Sequence, residues 1–256
     1  MSKIGILVVA YNAESTLHSV LQRIPPVIMA KVEEIFVFDD ASRDRTYEVG
    51  KELERGAEHD KLRIYRNPVN LMYGGNQRRG YQYAIERGLD IVVLLHGDGQ
   101  YAPEVMQELL TPLETGKADM VMGSRMLVKG AALRGNMPLY KYVGNKVLTW
   151  IENTLAGTRF SEFHSGYRAY NVHALKTIPL ESMTTNWHFD TQIILEFLKR
   201  GYRVQEVPIP TYYGDEICHV NGIPYALNCM RETLLFALFH RWRMNATLPL
   251  ASRPKK

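Results

Sequence analysis

The segment 94–104 reads LLHGDGQYAPE, in which an apolar run gives way to an imidazole, a carboxylate and a carboxamide at alternate positions: His96, Asp98 and Gln100. Three donors spaced this way can share one divalent ion. Mg2+ and Mn2+ characteristically take one or two protein carboxylates and fill the rest of their shell with water and substrate phosphate oxygens, so Asp98 is the strongest ligand candidate. A cation there neutralises the charge that develops on a departing diphosphate. Three further polar clusters follow short apolar runs: Tyr11, Asn12 and Glu14; Asp39 and Asp40; Ser124 and Arg125. Any one of them reads equally well as a helix N-cap, since Asn, Asp and Ser all cap well. Four clusters in one kind of position are harder to explain by capping alone.

Those positions acquire meaning if the apolar runs are strands of one sheet. Residues 4–10, 35–38, 62–65, 91–95 and 120–122 are continuous runs rich in Ile, Val, Leu or Phe, separated by amphipathic stretches. That pattern is expected of parallel strands buried on both faces by crossover helices. The chain therefore reads as α/β, one Rossmann-like domain with a mostly parallel sheet flanked by helices. In such sheets ligands bind beyond the carboxyl ends of the strands, where the four clusters lie. A helix opens at Pro103, with Glu104 in its first turn, and turns Ala102, Val105, Met106, Leu109, Leu110 and Leu113 toward the core. Further on come a tyrosine- and glycine-bearing stretch at 134–144, a helical run at 146–155, a glycine turn at Ser165 and Gly166, a helix at 190–200, a strand near 204–207 and a last helix at 224–243. The expected division is a catalytic domain at 1–215 and an amphipathic helix with a basic tail at 216–256.

A chain of 256 residues, 46% hydrophobic and 23% charged, suffices for one large domain with a buried core. Its net charge of +4, from 31 basic and 27 acidic residues, is too small to indicate a nucleic-acid partner. Cys218 and Cys229 fit neither a zinc pair nor a CxxC motif, so a reduced, cytoplasmic compartment is expected. The N-terminal apolar run lacks a small-residue cleavage site and reads as a first strand, not an export signal. No apolar stretch approaches the ~20 residues of a membrane-spanning helix, so any membrane contact is expected to be peripheral.

The motifs, taken in order, resemble those of the family 2 glycosyltransferases of GT-A fold, and within them the dolichyl- and polyprenyl-phosphate sugar transferases. VVAYNAESTL at 8–17 is similar to the opening nucleotide-binding strand and loop, and FDDASRDRT at 38–46 to the second, with Asp44 and Thr46 at the family's spacing. NLMYGGNQRRG at 70–80 resembles the glycine-rich helix start, HGDGQYAPE at 96–104 the metal motif, GSR at 123–125 the arginine turn, and EFHSGYRAY at 162–170 the Asp-x-x-Ser-Gly-Phe-Arg element. The resemblance implies that Tyr11, Asn12, Glu14 and Asp39 or Asp40 contact base and ribose, and that Gly75 and Arg78 lie near phosphate. A carboxylate accepts the ring N–H of uracil or guanine, which fits a UDP- or GDP-linked sugar. The family usually writes its metal motif Asp-x-Asp, and here His96 replaces the first acid. An imidazole ligates Mn2+ more readily than Mg2+, so Asp98 and Gln100 are the expected ligands with His96 nearby.

The acceptor decides whether a base is needed. A lipid phosphate is already a nucleophile and requires only cations, whereas a sugar hydroxyl needs a carboxylate to remove its proton. Asp190, in NWHFDTQ at 186–192, is the candidate base, with a first-turn helical position as the competing reading. For a phosphate acceptor the resemblance implies Arg125, with Arg134, Lys141, Ser165 and Arg168 as further contacts. Leu227, Met230, Leu234, Leu235, Leu238 and Phe239 recur at helical spacing ahead of His240, Arg241 and Arg243, which suits a lipid surface or packing against the domain or a second subunit. The expectation is a metal-dependent inverting transferase acting on a polyprenyl or dolichyl phosphate at the cytosolic membrane face. Its alternatives are a transferase using a saccharide hydroxyl and a non-catalytic nucleotide-sugar-binding module. A nucleotidyltransferase is disfavoured, because YNAEST lacks a glycine-rich phosphate loop with a lysine.

Overall fold

The computed structural model describes residues 2–56, 60–212 and 221–241. Seven strands, β1 Ile4–Ala10, β2 Val32–Asp39, β3 Leu62–Arg66, β4 Ile91–His96, β5 Met120–Ser124, β6 Arg168–Asn171 and β7 Val204–Pro208, form one sheet in the order β3-β2-β1-β4-β6-β5-β7. All neighbours pair in parallel except β6, which runs antiparallel to both β4 and β5. The helices are α1 Leu17–Gln22, α2 Pro26–Lys31, α3 Thr46–Arg55, α4 Met72–Glu86, α5 Met106–Glu114, α6 Ala131–Arg134, α7 Leu139–Ala156, α8 Val172–Leu175, α9 Phe189–Lys199 and α10 Gly222–Phe236.

Alternation along the strands divides the core between the two faces. Ile4, Ile6 and Val8 of β1 pack with Leu17, Val20, Leu109 and Leu110 from α1 and α5, while Leu7 joins Tyr81, Ala84, Ile193 and Phe197 from α4 and α9 on the other side. Such continuous apolar strands are buried because both faces are covered. The α/β reading thus holds, and strands read at 4–10 and 204–207 lie within one residue of the observed limits.

The differences are local. The expected glycine turn continues into β6, whose sequence RAYN has no continuous apolar run to announce it. Pro103 opens a short 3-10 turn and α5 proper starts at Met106, with Met106, Leu109, Leu110 and Leu113 buried as read. Helix α7 begins at Leu139, so part of the 134–144 stretch is helical. Helix α10 packs on α7 and α9, burying Cys229, Thr233 and Phe236, and passes into a π-helical turn at Ala237–Arg241. The boundary placed at 215/216, Cys218 and the basic tail fall outside the described residues.

Candidate functional site

The first two motifs are sewn together by their own polar residues. Asn12 takes a left-handed φ of 51°, its N–H donates to Ser42 Oγ at 2.8 Å, and its Oδ1 accepts from the Arg43 N–H at 2.9 Å. The Ala13 N–H donates to Thr46 Oγ1 at 2.7 Å, the Glu14 N–H to Asp44 Oδ2 at 3.1 Å, and Glu14 Oε2 accepts from the Arg45 N–H at 3.1 Å. Asp44 and Thr46 are therefore the fasteners between two loops, which accounts for their spacing. Tyr11 stands exposed at the rim.

Asp39 and Asp40 are both buried, and burial raises the pKa of each. Asp39 accepts from the Ser42 N–H at 3.2 Å and pairs with Arg66 at 3.4 Å. Asp40 Oδ1 accepts from Asn67 Nδ2 and the Leu71 N–H, each at 2.8 Å. Asp40 thus fastens the 67–71 segment from inside, and of the two acids expected at the nucleotide Asp39 lies nearer the loop that Asn12 joins.

The glycine pair at the start of α4, expected near phosphate, has a packing purpose in the fold. The Gly74 N–H donates to the Thr185 carbonyl at 2.7 Å, and a Cβ there would lie 2.7 Å from both the Thr184 carbonyl oxygen and Phe189 Cβ. Gly75 is buried, and a Cβ there would meet Leu71 Cβ at 2.9 Å. Both glycines let α4 approach the 184–189 segment closely. Arg78 turns toward Glu181, donating to its carbonyl at 3.4 Å with the two side chains 4.0 Å apart.

At the centre lies the loop after β4. The Gly97 N–H donates to the Val9 carbonyl at 2.9 Å, and the Gly97 carbonyl accepts from Thr16 Oγ1 at 2.7 Å, which fixes where the exposed Asp98 stands. Asp98 Oδ1 accepts from the Gln100 N–H at 3.0 Å. The His96 ring sits edge-on to Tyr73 and Tyr101, with centroids 5.7 and 5.0 Å away. Its Nε2 is closed off from solvent and has no hydrogen-bond partner among the described residues. Burial lowers its pKa, so the ring is neutral near pH 7 and that nitrogen can carry a lone pair. Gly166 is small for this reason: a Cβ would lie 2.8 Å from both His96 Nε2 and Tyr73 Oη. A carboxylate, a carboxamide and an orphaned neutral imidazole on one loop fit a divalent cation, and the imidazole suits Mn2+ better than Mg2+.

Asp190, the candidate base, is buried and committed. It accepts from Tyr73 Oη at 2.7 Å and Gln77 Nε2 at 3.3 Å, and lies 3.6 Å from Arg168 Nη2. Burial and then Asp190 push the Tyr73 pKa up, so the phenol keeps its proton to donate. Arg168 is 0% exposed and donates to the carbonyls of Ser165, Asp190 and Phe163, each at 2.8 Å. Burial alone would lower its pKa; Asp190 together with Tyr170, Tyr73 and Tyr81 more than offsets this, and the guanidinium stays charged. Arg168 and the buried Ser165, which the resemblance implies at an acceptor phosphate, are thus engaged inside the fold.

Arg125 is likewise engaged. Its backbone N–H donates to Glu162 Oε2 at 2.9 Å, its Nε to Glu162 Oε1 at 3.0 Å, and its Nη2 also meets Glu162, which accepts from Asn145 Nδ2 at 2.9 Å as well. Burial would raise the Glu162 pKa, but Arg125 outweighs it and holds the carboxyl below its ordinary value. Arg125 thus faces the site through a neutralised pair. A pocket beside it is lined by Lys129, Tyr142 and Lys146, two of them cations that the sequence reading passed over. Arg134 is exposed and bends back to the Lys129 carbonyl at 3.4 Å, and Lys141 lies half-buried in the first turn of α7. Tyr73, Tyr101 and Trp187, which stacks on Tyr73 at 4.5 Å, were also missed; only the tyrosines' adjacency to the glycine pair and to the metal motif hinted at them.

A family profile described as Glycosyl transferase family 2 matches residues 5–178. The chain belongs to that family. It is a glycosyltransferase of GT-A fold. A UDP-N-acetylglucosamine–dolichyl-phosphate N-acetylglucosaminyltransferase of Methanococcus voltae is 30% identical over 222 residues, covering 83% of this chain and 86% of that protein. A polyprenol monophosphomannose synthase of Mycolicibacterium smegmatis is 28% identical over 211 residues, covering 80% and 75%. Among solved structures, glucosyl-3-phosphoglycerate synthase of Mycobacterium tuberculosis, in complex with Mn2+, UDP and phosphoglyceric acid, superposes with a TM-score of 0.67 at 17% identity, covering 92% of the transferase and 78% of that chain. At that identity the likeness is one of fold.

Proposed function

We propose that this glycosyltransferase moves a sugar, with inversion, from a UDP- or GDP-linked donor to a polyprenyl or dolichyl phosphate at the cytosolic membrane face. One observation carries the choice of acceptor: the acid placed to serve as a base, Asp190, is buried and spent on Tyr73, Gln77 and Arg168. A phosphate oxygen is already anionic and needs no base, and Lys129 and Lys146 beside Arg125 supply the positive charge to seat it. Relatives named for dolichyl and polyprenyl phosphate support the same reading.

On the donor side, Tyr11, Asn12, Glu14 and Asp39 border the nucleotide. Asp98 and Gln100, with His96 Nε2 behind them, would hold Mg2+ or Mn2+. When bound, the ion supplies charge neutralisation for the leaving diphosphate. Two exposed apolar helix faces support peripheral membrane contact: Leu139, Tyr140, Val143, Val147 and Trp150 on α7, and Ile223, Leu227, Leu234 and Leu238 on or just beyond α10. These helices pack on each other, and among the described residues no helix is long and apolar enough to cross a bilayer.

Labelled UDP-N-acetylglucosamine, UDP-glucose and GDP-mannose, each incubated with the protein, Mn2+ and polyprenyl phosphate, test the reading. A solvent-extractable, acid-labile glycolipid from one donor is the expected product. Transfer only to a saccharide acceptor overturns it.

A further inference from the structure

We propose that Glu152, His164 and Cys229 form a second metal site, for one Zn2+ ion, that clamps the loop after α7 to helices α7 and α10. The three residues come from separate parts of the chain, and one donor atom from each lies within 4.8 Å of the others. All three side chains are shut away from solvent, His164 at 8% exposure and Glu152 at 0%. Two of the donors are orphans: His164 Nε2 and Glu152 Oε2 face each other at 3.0 Å, yet neither has a hydrogen bond of acceptable geometry among the described residues. Buried polar atoms without partners are costly and uncommon, and an ion between them satisfies both.

The surroundings are those of a built site. His164 Nδ1 lies 2.9 Å from Tyr225 Oη, the contact on the far ring nitrogen that orients a ligating imidazole and sets its tautomer. Thr191 Oγ1 donates toward Glu152 Oε1 at 3.4 Å and Cys229 Sγ at 3.2 Å, leaving Glu152 Oε2 turned to the cluster. Sulfur, nitrogen and carboxylate oxygen together favour zinc over the hard cations that suit Asp98. Tetrahedral zinc with bonds of ~2.0–2.3 Å holds its ligands roughly 3.5 Å from one another, between the 3.0 Å of the His164–Glu152 pair and the 4.8 Å within which all three donors lie. Binding displaces the Cys229 thiol proton to solvent.

The position gives the clamp a purpose. His164 stands two residues after Glu162, the partner of Arg125, and two before Gly166, against which His96 packs. Fixing His164 therefore fixes both, and it ties α10 to the site without touching substrate. The full chain, purified without chelator, should carry close to one zinc per molecule by elemental analysis. Replacement by Co2+ should give the intense near-ultraviolet band of thiolate ligation. Cys229→Ala should lose both the band and most of the zinc, and Asp98→Ala should keep them, so this outcome stands apart from the donor-site metal. Stripping the wild type with chelator should lower its melting temperature, and equimolar Zn2+ should restore it. A wild-type chain that folds, takes up no zinc on reconstitution and shows no thiolate–cobalt band overturns the proposal.

Discussion

Replacing Asp190 by Asn separates a structural acid from a catalytic base, and the structure sets the size of each effect. The introduced carboxamide would still accept from Tyr73, but it leaves the fully buried Arg168 guanidinium without its counter-charge. Removing one partner of a buried pair typically costs ~3–5 kcal/mol. Arg168 keeps three carbonyl acceptors at 2.8 Å, which argues for the low end. At roughly 2–4 °C per kcal/mol for a domain of this size, ~3 kcal/mol lowers the melting temperature by about 6–12 °C. Activity should respond less: below the new melting temperature, kcat/KM for the lipid-phosphate acceptor is expected to fall less than ~10-fold, whereas loss of a general base costs ~100- to 10,000-fold. The double variant Asp190→Leu with Arg168→Met should recover much of the stability, because it buries no unpaired charge. Thermal unfolding by circular dichroism and steady-state transfer on the same preparation decide the matter. An Asp190→Asn protein with wild-type melting temperature and a loss beyond ~100-fold would refute the reasoning and make Asp190 the base.

Three further outcomes follow from the same geometry. Asp98→Ala, at an exposed loop position, should abolish metal-dependent donor turnover while shifting stability by no more than ~0.5 kcal/mol, read as donor hydrolysis with Mn2+ beside a thermal melt. Gly74→Ala forces a methyl to within 2.7 Å of Thr184 O and Phe189 Cβ and should destabilise the fold by ~1–3 kcal/mol in denaturant titration. Glu162 has a folded pKa below its ordinary 4.5, so the stability it contributes is present above that value and is lost as pH falls through the lower folded pKa. Melting temperatures of wild type and Glu162→Gln should therefore differ at pH 7 and converge as the pH falls through the lowered folded pKa of Glu162.

Six of the seven strands described, and the sheet edge that carries the site, were legible, five of them because continuous apolar runs mark buried parallel strands without any long-range information. Strand β6 was not, since Arg168 and Asn171 bound it and its pairing with β4 and β5 is decided across the fold. The same limit applies to the candidate site residues. That Asp98, His96 and Gln100 share one loop is a matter of spacing. Which charges are already paired is not: Tyr73 meets Asp190 across 117 positions, and Arg125 meets Glu162 across 37. An arginine expected at a phosphate and one buried under a loop look alike in sequence.

The segment 162–168 shows how these pairings belong together. Glu162 receives Arg125, His164 reaches Tyr225 and Glu152, Gly166 admits the His96 ring, and Arg168 closes back on the carbonyls of Phe163 and Ser165. Four anchors in seven residues leave this stretch little freedom to reorganise when a donor arrives. Catalysis by electrostatic stabilisation gains most where the polar groups are fixed before charge develops, because no energy is then lost in turning them. In the proposed function, the acids and arginines already paired within the fold would act on the reaction by holding His96, Tyr73 and Arg125 in place. A substitution at Arg168 or Glu162 should accordingly disturb metal affinity and acceptor KM together, while one at Asp98 should disturb the metal alone.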